Sequence, residues 1–452
     1  MKRFGNAFKT GVAGLVLTLI AAACSSGGGS APAAGTNGTN SAAQSGKKVT
    51  LQLMYPKNSG SADPRAQWMQ ENVELFKKEN PNIDFEVIDN TSGDNYLTTV
   101  TTRMAANDVP DIFQTWTLER LRPFAESSRV YDLTEFLNST PELKSKFSPS
   151  ALSATTFNGK TYAMPLTQDL EVVYYNKDVF QKFNLQPPQT YDELLSIIDV
   201  LKKNDIVPIS MPNKEPWVGT ILFMMLAERI GGTDVYQKTV IEKTGSWTDK
   251  PFVEAATMMQ DLVKRGAFEK NVNSLTRPES EIKLAQGKAG MYIGLTSASN
   301  VNLVQSMGDK VGFFNFPDVA GGKGSKDDYL QTPTNAFSVG AATKHPEEVK
   351  KFIKFMYSQD RQLALAKLGS MLAYQFTANP GDLPPLSEQL AKTGINAKNS
   401  MYFWDIPLGV YMGKELNNTT QGFYMDVEPQ QALSALQKKA EDQKKQAQAG
   451  AK

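Results

Sequence analysis

Catalysis and metal capture need particular side chains at particular spacings, and the 452-residue sequence holds few such sets. Its one histidine, His345, stands directly before Pro346 and reads as a helix-entry residue. Its one cysteine is Cys24. A Ser-His-Asp or Cys-His triad would need His345 buried in a cleft. A His-rich metal site and a thiolate cluster are excluded, as is an intramolecular disulfide. Gly159-Lys160 and Gly287-Lys288 lack the remaining residues of a phosphate-binding loop. No metal or cofactor is expected. Paired carboxylates remain, with Asp169, Glu171 and Glu215 as candidates, and two chemistries stay open for them. They could serve a glycosidase as acid and base, or accept hydrogen bonds from sugar hydroxyls. Adjacent Tyr174 and Tyr175 could ligate ferric iron, although neighbouring strand side chains point to opposite faces, which favours core or rim roles.

Aromatic residues at strand ends are more informative. Trp116 closes the run Pro110-Asp-Ile-Phe-Gln-Thr-Trp, and Trp217 follows Glu215-Pro216. Ligands of open α/β sheets bind beyond the carboxyl ends of the strands. Trp404 lies in a late apolar stretch with Tyr402, Phe403 and Asp405. An indole face covers the apolar side of a pyranose, and a neighbouring carboxylate accepts from its hydroxyls. Core packing is the plainer alternative for any one of the three.

The elements that must position these residues follow from apolar periodicity. Val49, Leu51 and Leu53 alternate with polar residues as a strand, and Ile83, Phe85 and Val87 repeat the pattern. Between them Met69, Val73 and Phe76 mark a helix over 65–79, stopped at Asn80-Pro81. A helix over 96–106 leads to a third strand at Pro110. The alternation restarts with a strand at 172–175, then a helix opened by Thr190-Tyr-Asp-Glu193. Further strands are expected at 207–210, 290–293 and 311–314, with helices over 219–228 and 252–264, the latter ended by Gly266. Pro346 and Pro429 open two more helices. This order implies two α/β lobes with mostly parallel sheets and helices on their faces.

Charge and leader bound the partners and the compartment. Forty-eight basic side chains face 47 acidic ones, for a net charge of +1. That balance argues against nucleic acid or an anionic surface and suits a neutral ligand. Met1-Lys2-Arg3 and Lys9 precede an apolar run from Gly11 to Ala23, too short to span a bilayer, which reads as a signal peptide over 1–23. Small residues at 21–23 run directly into Cys24, the layout of a lipidated (palmitate-bearing) cysteine. An ordinary signal peptide with an incidental cysteine is the alternative. The Gly-, Ser- and Ala-rich segment 24–46 reads as a flexible tether. The expected address is the outer face of the cell membrane, lipid-anchored.

At these residues the chain resembles the extracellular solute-binding proteins of carbohydrate ABC importers, the group that includes maltodextrin-binding proteins. The likeness rests on Val109-Pro-Asp-Ile-Phe113, Asn158-Gly-Lys-Thr-Tyr-Ala-Met-Pro165, Tyr174-Tyr-Asn-Lys-Asp178, Pro187-Pro-Gln-Thr-Tyr-Asp-Glu-Leu194 and Gln286-Gly-Lys-Ala-Gly-Met291, in that order. The resemblance implies a periplasmic-binding-protein-like fold of two lobes joined by a hinge. One lobe would span 47–168 with 336–370, the other 169–335 with 371–452. It implies a monomer that is not an enzyme and delivers sugar to permease subunits. The contacts it implies are Trp116, Glu119, Arg120, Asp169, Glu215, Trp217, Trp404 and Lys57. Where the family carries an aromatic after the Met291 strand, this chain has Leu295, Thr296 and Ser297.

Overall fold

The structure is a computed structural model and describes residues 48–56, 64–88 and 94–450. Cys24 and Lys57 lie outside these residues, as do the leader and tether. The first elements follow the periodicity closely: β1 (Val49–Met54), α1 (Pro64–Glu79), β2 (Ile83–Ile88), α2 (Asp94–Ala105) and β3 (Ile112–Trp116). Both β2 and β3 pair with β1 in parallel, which the intervening helices make possible. The short strand β4 (Met164–Pro165) then leads into β5 (Gln168–Asn176), the spine of a second sheet.

The second lobe continues with α3 (Tyr191–Lys203), β6 (Val207–Ser210), α4 (Pro216–Gly231), α5 (Lys250–Arg265), α6 (Arg277–Ala285), β7 (Ala289–Leu295), α7 (Thr296–Met307), β8 (Val311–Phe314) and β9 (Asp328–Pro333). Helix α4 is buried on all sides from Val218 to Arg229, so its sequence is apolar all round rather than striped. Helix α5 ends where Gly266 adopts a left-handed φ of 81° and its N–H reaches back to Leu262 and Val263. The chain then returns to the first sheet as β10 (Asn335–Val339), followed by α8 (Pro346–Met356) and α9 (Gln359–Lys367). It finishes on the second lobe with α10 (Pro385–Ile395), β11 (Asn399–Met401), α11 (Gly409–Gly422) and α12 (Pro429–Gly450).

The first sheet runs β2-β1-β3-β10-β4 and the second β11-β9-β5-β7-β6, with β8 also on β5. Both are mixed, where mostly parallel sheets are expected from the β-α-β order. The cause is the crossing chain. Segments β4–β5 and β9–β10 pass straight from one sheet into the other without a helical crossover. They therefore enter antiparallel to their neighbours, Asn335 opposite Trp116 and Asp169 opposite Thr332.

Each sheet buries both faces. Leu51, Leu53, Ile112, Phe337 and Val339 pack beneath α1 and α8, while Met54, Phe113 and Ala336 face α2. In the second lobe Val173, Met291 and Ile293 face the large core around α4, and Leu170, Val172, Tyr174 and Tyr292 face the other way. Between α9 and α10 the chain touches both cores, Met371 packing against the second. Tyr374 still packs on Phe147 and Tyr357 of the first core, at ring distances of 5.7 and 6.2 Å. Leu386 and Leu390 are the next residues of the second core.

Candidate functional site

Where the two sheets meet, crossing segments and helix starts leave a cleft of about 220 Å³ lined from both lobes. Its floor is the hinge. The Thr167 and Thr334 hydroxyls lie 3.1 Å apart, Thr334 N donates to Thr167 O at 3.0 Å, and Asn335 Nδ2 donates to Thr167 Oγ1 at 2.8 Å. Asp169 accepts from the Thr334 hydroxyl and, at 3.5 Å, from Thr296 Oγ1. Thr296 also accepts from Leu170 N at 3.0 Å. Thus Leu295 lines the cleft and Thr296 braces the hinge at the place where the resemblance leads one to look for an aromatic.

The first-lobe wall is built on the end of β3. Trp116 meets Tyr96 edge-on at 5.7 Å, and the Tyr96 hydroxyl is fixed by donation to Gln114 O at 2.8 Å. Arg120, in the 3-10 turn Leu118–Arg120, places its guanidinium carbon 5.9 Å from the Trp116 ring centre. Its Nη2 lies 2.8 Å from Asp405 Oδ2 of the second lobe, so an ion pair crosses the cleft. Asp405 also accepts from Asn417 Nδ2 at 3.3 Å.

The second-lobe wall is the start of α4. Pro216 at its first position sets the helical φ, and the helix begins at Pro216, three residues before the expected Gly219. Trp217 therefore sits in the first turn rather than in a loop. Its Nε1 donates to Glu215 Oε2 at 3.2 Å, and Glu215 Oε1 accepts from Arg277 Nε at 3.1 Å. Burial works against the Arg277 charge, yet Glu215, with Tyr292 and Glu281, raises its pKa above the usual arginine value.

Trp116, Arg120, Asp169, Glu215 and Trp217 thus converge on one cleft. Glu119 and Trp404 do not line it. Glu119 turns to Arg122, accepting from Nε at 2.7 and 2.8 Å. Trp404 is wholly buried in the second core, 6.0 Å from Phe252 and 6.2 Å from Phe223, and its chain neighbours Phe403 and Asp405 reach the cleft in its place. Glu171 shares a strand face with Asp169 but is buried outside the cleft, where burial and the nearby Asp169 raise its pKa well above the usual carboxylate value. Tyr174 and Tyr175 pack into different cores, and neither lines the cleft, which removes the two-tyrosine iron site. Among the described residues no group of three His, Cys, Asp or Glu side chains could hold a metal ion. His345 precedes α8 as its N-cap residue, away from the cleft. Arg277 was legible only indirectly: Thr276-x-x-Glu279 is a capping box, which places the next residue at a helix start.

A two-lobed body with a cleft lined from both lobes at the hinge is matched at the level of sequence. The family model described as bacterial extracellular solute-binding protein matches residues 60–363, more than half of the chain. The chain belongs to this family. Among relatives of this solute-binding protein, the multiple sugar-binding protein of Streptococcus mutans is 24% identical over 316 residues, covering 68% of this chain and 71% of the relative. The melibiose/raffinose/stachyose-binding protein MelE of Bacillus subtilis is 24% identical over 335 residues, covering 71% and 73%. A solved structure from a study of xylan utilization by Caldanaerobius polysaccharolyticus superposes with a TM-score of 0.80 at 28% identity, covering 86% of this chain and 99% of that one. A chitin oligosaccharide binding protein gives 0.80 at 23% identity, covering 87% and 98%. Members of the family are binding proteins that act outside the cytoplasm. No helix among the described residues is long and apolar enough to cross a membrane.

Proposed function

We propose that this solute-binding protein captures an uncharged carbohydrate between its lobes and presents it to the permease of an ABC importer, while tethered to the membrane through a lipid on Cys24. One observation carries the reading: two indoles, Trp116 and Trp217, enter the same cleft from opposite lobes. Stacking on both suits a pyranose, whose ring faces are apolar and whose rim is polar. The charged groups support a neutral ligand. Glu215 is paired with Arg277, Arg120 with Asp405, and Asp169 accepts from the hinge hydroxyls. A charged sugar would have to break one of these pairs to be neutralised.

Relatives named for multiple sugars, for melibiose, raffinose and stachyose, and for chitin oligosaccharide point to the same ligand class. The protein acts as a monomer and performs no chemistry on its ligand. A thermal-shift screen against mono- and oligosaccharides, polyols and ferric citrate tests the reading. A ligand of the native state stabilises by ~2.7 kcal/mol at a hundredfold excess over its dissociation constant. One sugar series raising the melting temperature without product release supports the proposal. No response to any carbohydrate, or release of reducing sugar, overturns it. For the anchor, Cys24→Ala should leave the protein unacylated by mass spectrometry and free in the medium; membrane retention of that variant would refute it.

A further inference from the structure

Two residues of the second-lobe wall break the rules of their own helices, and each explains the other. Glu215 is the N-cap residue of α4, where an acidic side chain ordinarily accepts from the first backbone N–H groups. It makes no side-chain cap and bonds instead to the side chains of Arg277 and Trp217. Arg277 opens α6, a position where the helix dipole disfavours a cation. It is also mostly buried, with a side chain 16% exposed, which adds the cost of removing a charge from water. Local rules broken without local compensation mark functional positions. Here the compensation is mutual: Arg277 Nε donates to Glu215 Oε1 at 3.1 Å, and Glu215 Oε2 accepts from Trp217 Nε1 at 3.2 Å.

We infer that Arg277 and Glu215 are positioning residues for the Trp217 indole: Arg277 anchors Glu215, and Glu215 holds the polar edge of the ring so that its apolar face is presented to the cleft. The chain of contacts has a firm base. Thr276 and Glu279 form a complete capping box at the start of α6, with Thr276 N donating to Glu279 Oε2 at 2.8 Å. The backbone that carries Arg277 is therefore fixed before the guanidinium is aimed. Pro216 does the same for the first turn of α4. An indole on this tether has lost its freedom to rotate before a ligand arrives, which lowers the ordering cost of binding.

The inference assigns Glu215 a role different from direct acceptance of sugar hydroxyls. One carboxylate oxygen serves the indole and the other the guanidinium, so the ligand at this wall meets a ring face and no bare charge. This deepens the carbohydrate reading by naming what selects for an uncharged ring. It rests on that reading only for the meaning of Trp217 as a ligand contact; the tether itself is testable without any ligand.

The full chain labelled with 5-fluorotryptophan should give five fluorine resonances, one for each Trp, and Trp217→Phe identifies the one from Trp217. In Arg277→Met that resonance should shift and broaden while the other four hold their positions. Arg277→Lys, which keeps the cation, should restore it towards the wild-type position. Glu215→Gln keeps an acceptor but loses the charge pairing, and should move the same resonance by a smaller amount; it also decides the matter if Arg277→Met fails to fold. An unmoved Trp217 resonance in Glu215→Gln, or one that moves in Arg277→Met and is not restored in Arg277→Lys, overturns the inference. Failure of every sugar to bind would leave these spectra, and the tether, intact.

Discussion

Tryptophan marks both the cleft and the core of this molecule, and the two uses have different energetic signatures. Trp116 and Trp217 are half-buried on facing walls, whereas Trp404 is enclosed by Phe223, Tyr236, Trp247 and Phe252. Truncating a cleft indole removes stacking area from the ligand and leaves the fold intact. Trp116→Ala and Trp217→Ala should each weaken sugar binding at least tenfold in calorimetry, about 1.4 kcal/mol, with little change in melting temperature. Trp404→Ala opens a cavity in a packed core and should destabilise by about 3–5 kcal/mol. The reverse pattern would reassign the three residues. Glu171 makes a second prediction. Its folded pKa is raised by burial and then by Asp169, with Tyr174 and Tyr292 nearby on the same sheet. The folded state therefore holds a proton that the unfolded chain gives up above about pH 4.5. The Glu171 contribution to stability is fully present below that value and declines as pH rises towards the folded pKa. Glu171→Gln, which cannot ionise, should flatten this decline in denaturation followed from pH 4 to 8. An identical slope in wild type and variant would show that Glu171 does not titrate on unfolding.

At the scale of elements, helix starts do most of the positioning. Arg277 is held by the Thr276–Glu279 box, so Thr276→Ala should cost about 1 kcal/mol of stability through the lost cap and broaden the Trp217 fluorine resonance. Loss of stability alone would separate the cap from the site. Such starts are partly legible in sequence. Pro346 announced α8, with Val349, Phe352, Ile353 and Met356 buried as their spacing requires. The box expected at Thr190 forms by half: Thr190 Oγ1 accepts from Glu193 N at 3.3 Å, but Glu193 turns to Gln189 N at 2.6 Å. Helix α4 resisted prediction at its start because it is buried on every side and shows no polar stripe to mark its first turn. Trp404 misled for a related reason. Its neighbours Phe403 and Asp405 do reach the cleft, and a local pattern gives no sign of which face of a turn will be solvent. Arg120 was identified through a resemblance, whereas its partner Asp405, 285 positions away, is a property of the folded chain alone.

On the scale of the whole molecule, the lobes are joined by crossing strands at the floor of the cleft and, among the described residues, by the Arg120–Asp405 ion pair across it. Arg120 and Asp405 have side chains 17% and 8% exposed, so their pairing is screened less than a surface contact. Beside it, Leu118 of the first lobe holds a left-handed φ of 54° and packs against the second-lobe core. A leucine in that conformation is strained, and its N–H is held within the first lobe by Ala154 O at 2.7 Å. The Arg120–Asp405 pair is thus a charge-assisted contact that favours the lobes lying together. A ligand that touches both walls adds to it and shifts the population further. Asp405→Asn keeps the shape and an acceptor while removing the charge. Losing a charge-assisted hydrogen bond of this kind costs about 1.5–3 kcal/mol, roughly ten- to a hundredfold in the ratio of open to closed molecules. Spin labels on the two lobes of the ligand-free protein should report a longer mean distance in Asp405→Asn than in wild type, and Arg120→Met should match it. Because no ligand is present, the shift cannot arise from a lost sugar contact. Equal distance distributions in all three proteins would mean that the hinge alone sets the lobe arrangement and that the ion pair is a passenger on it.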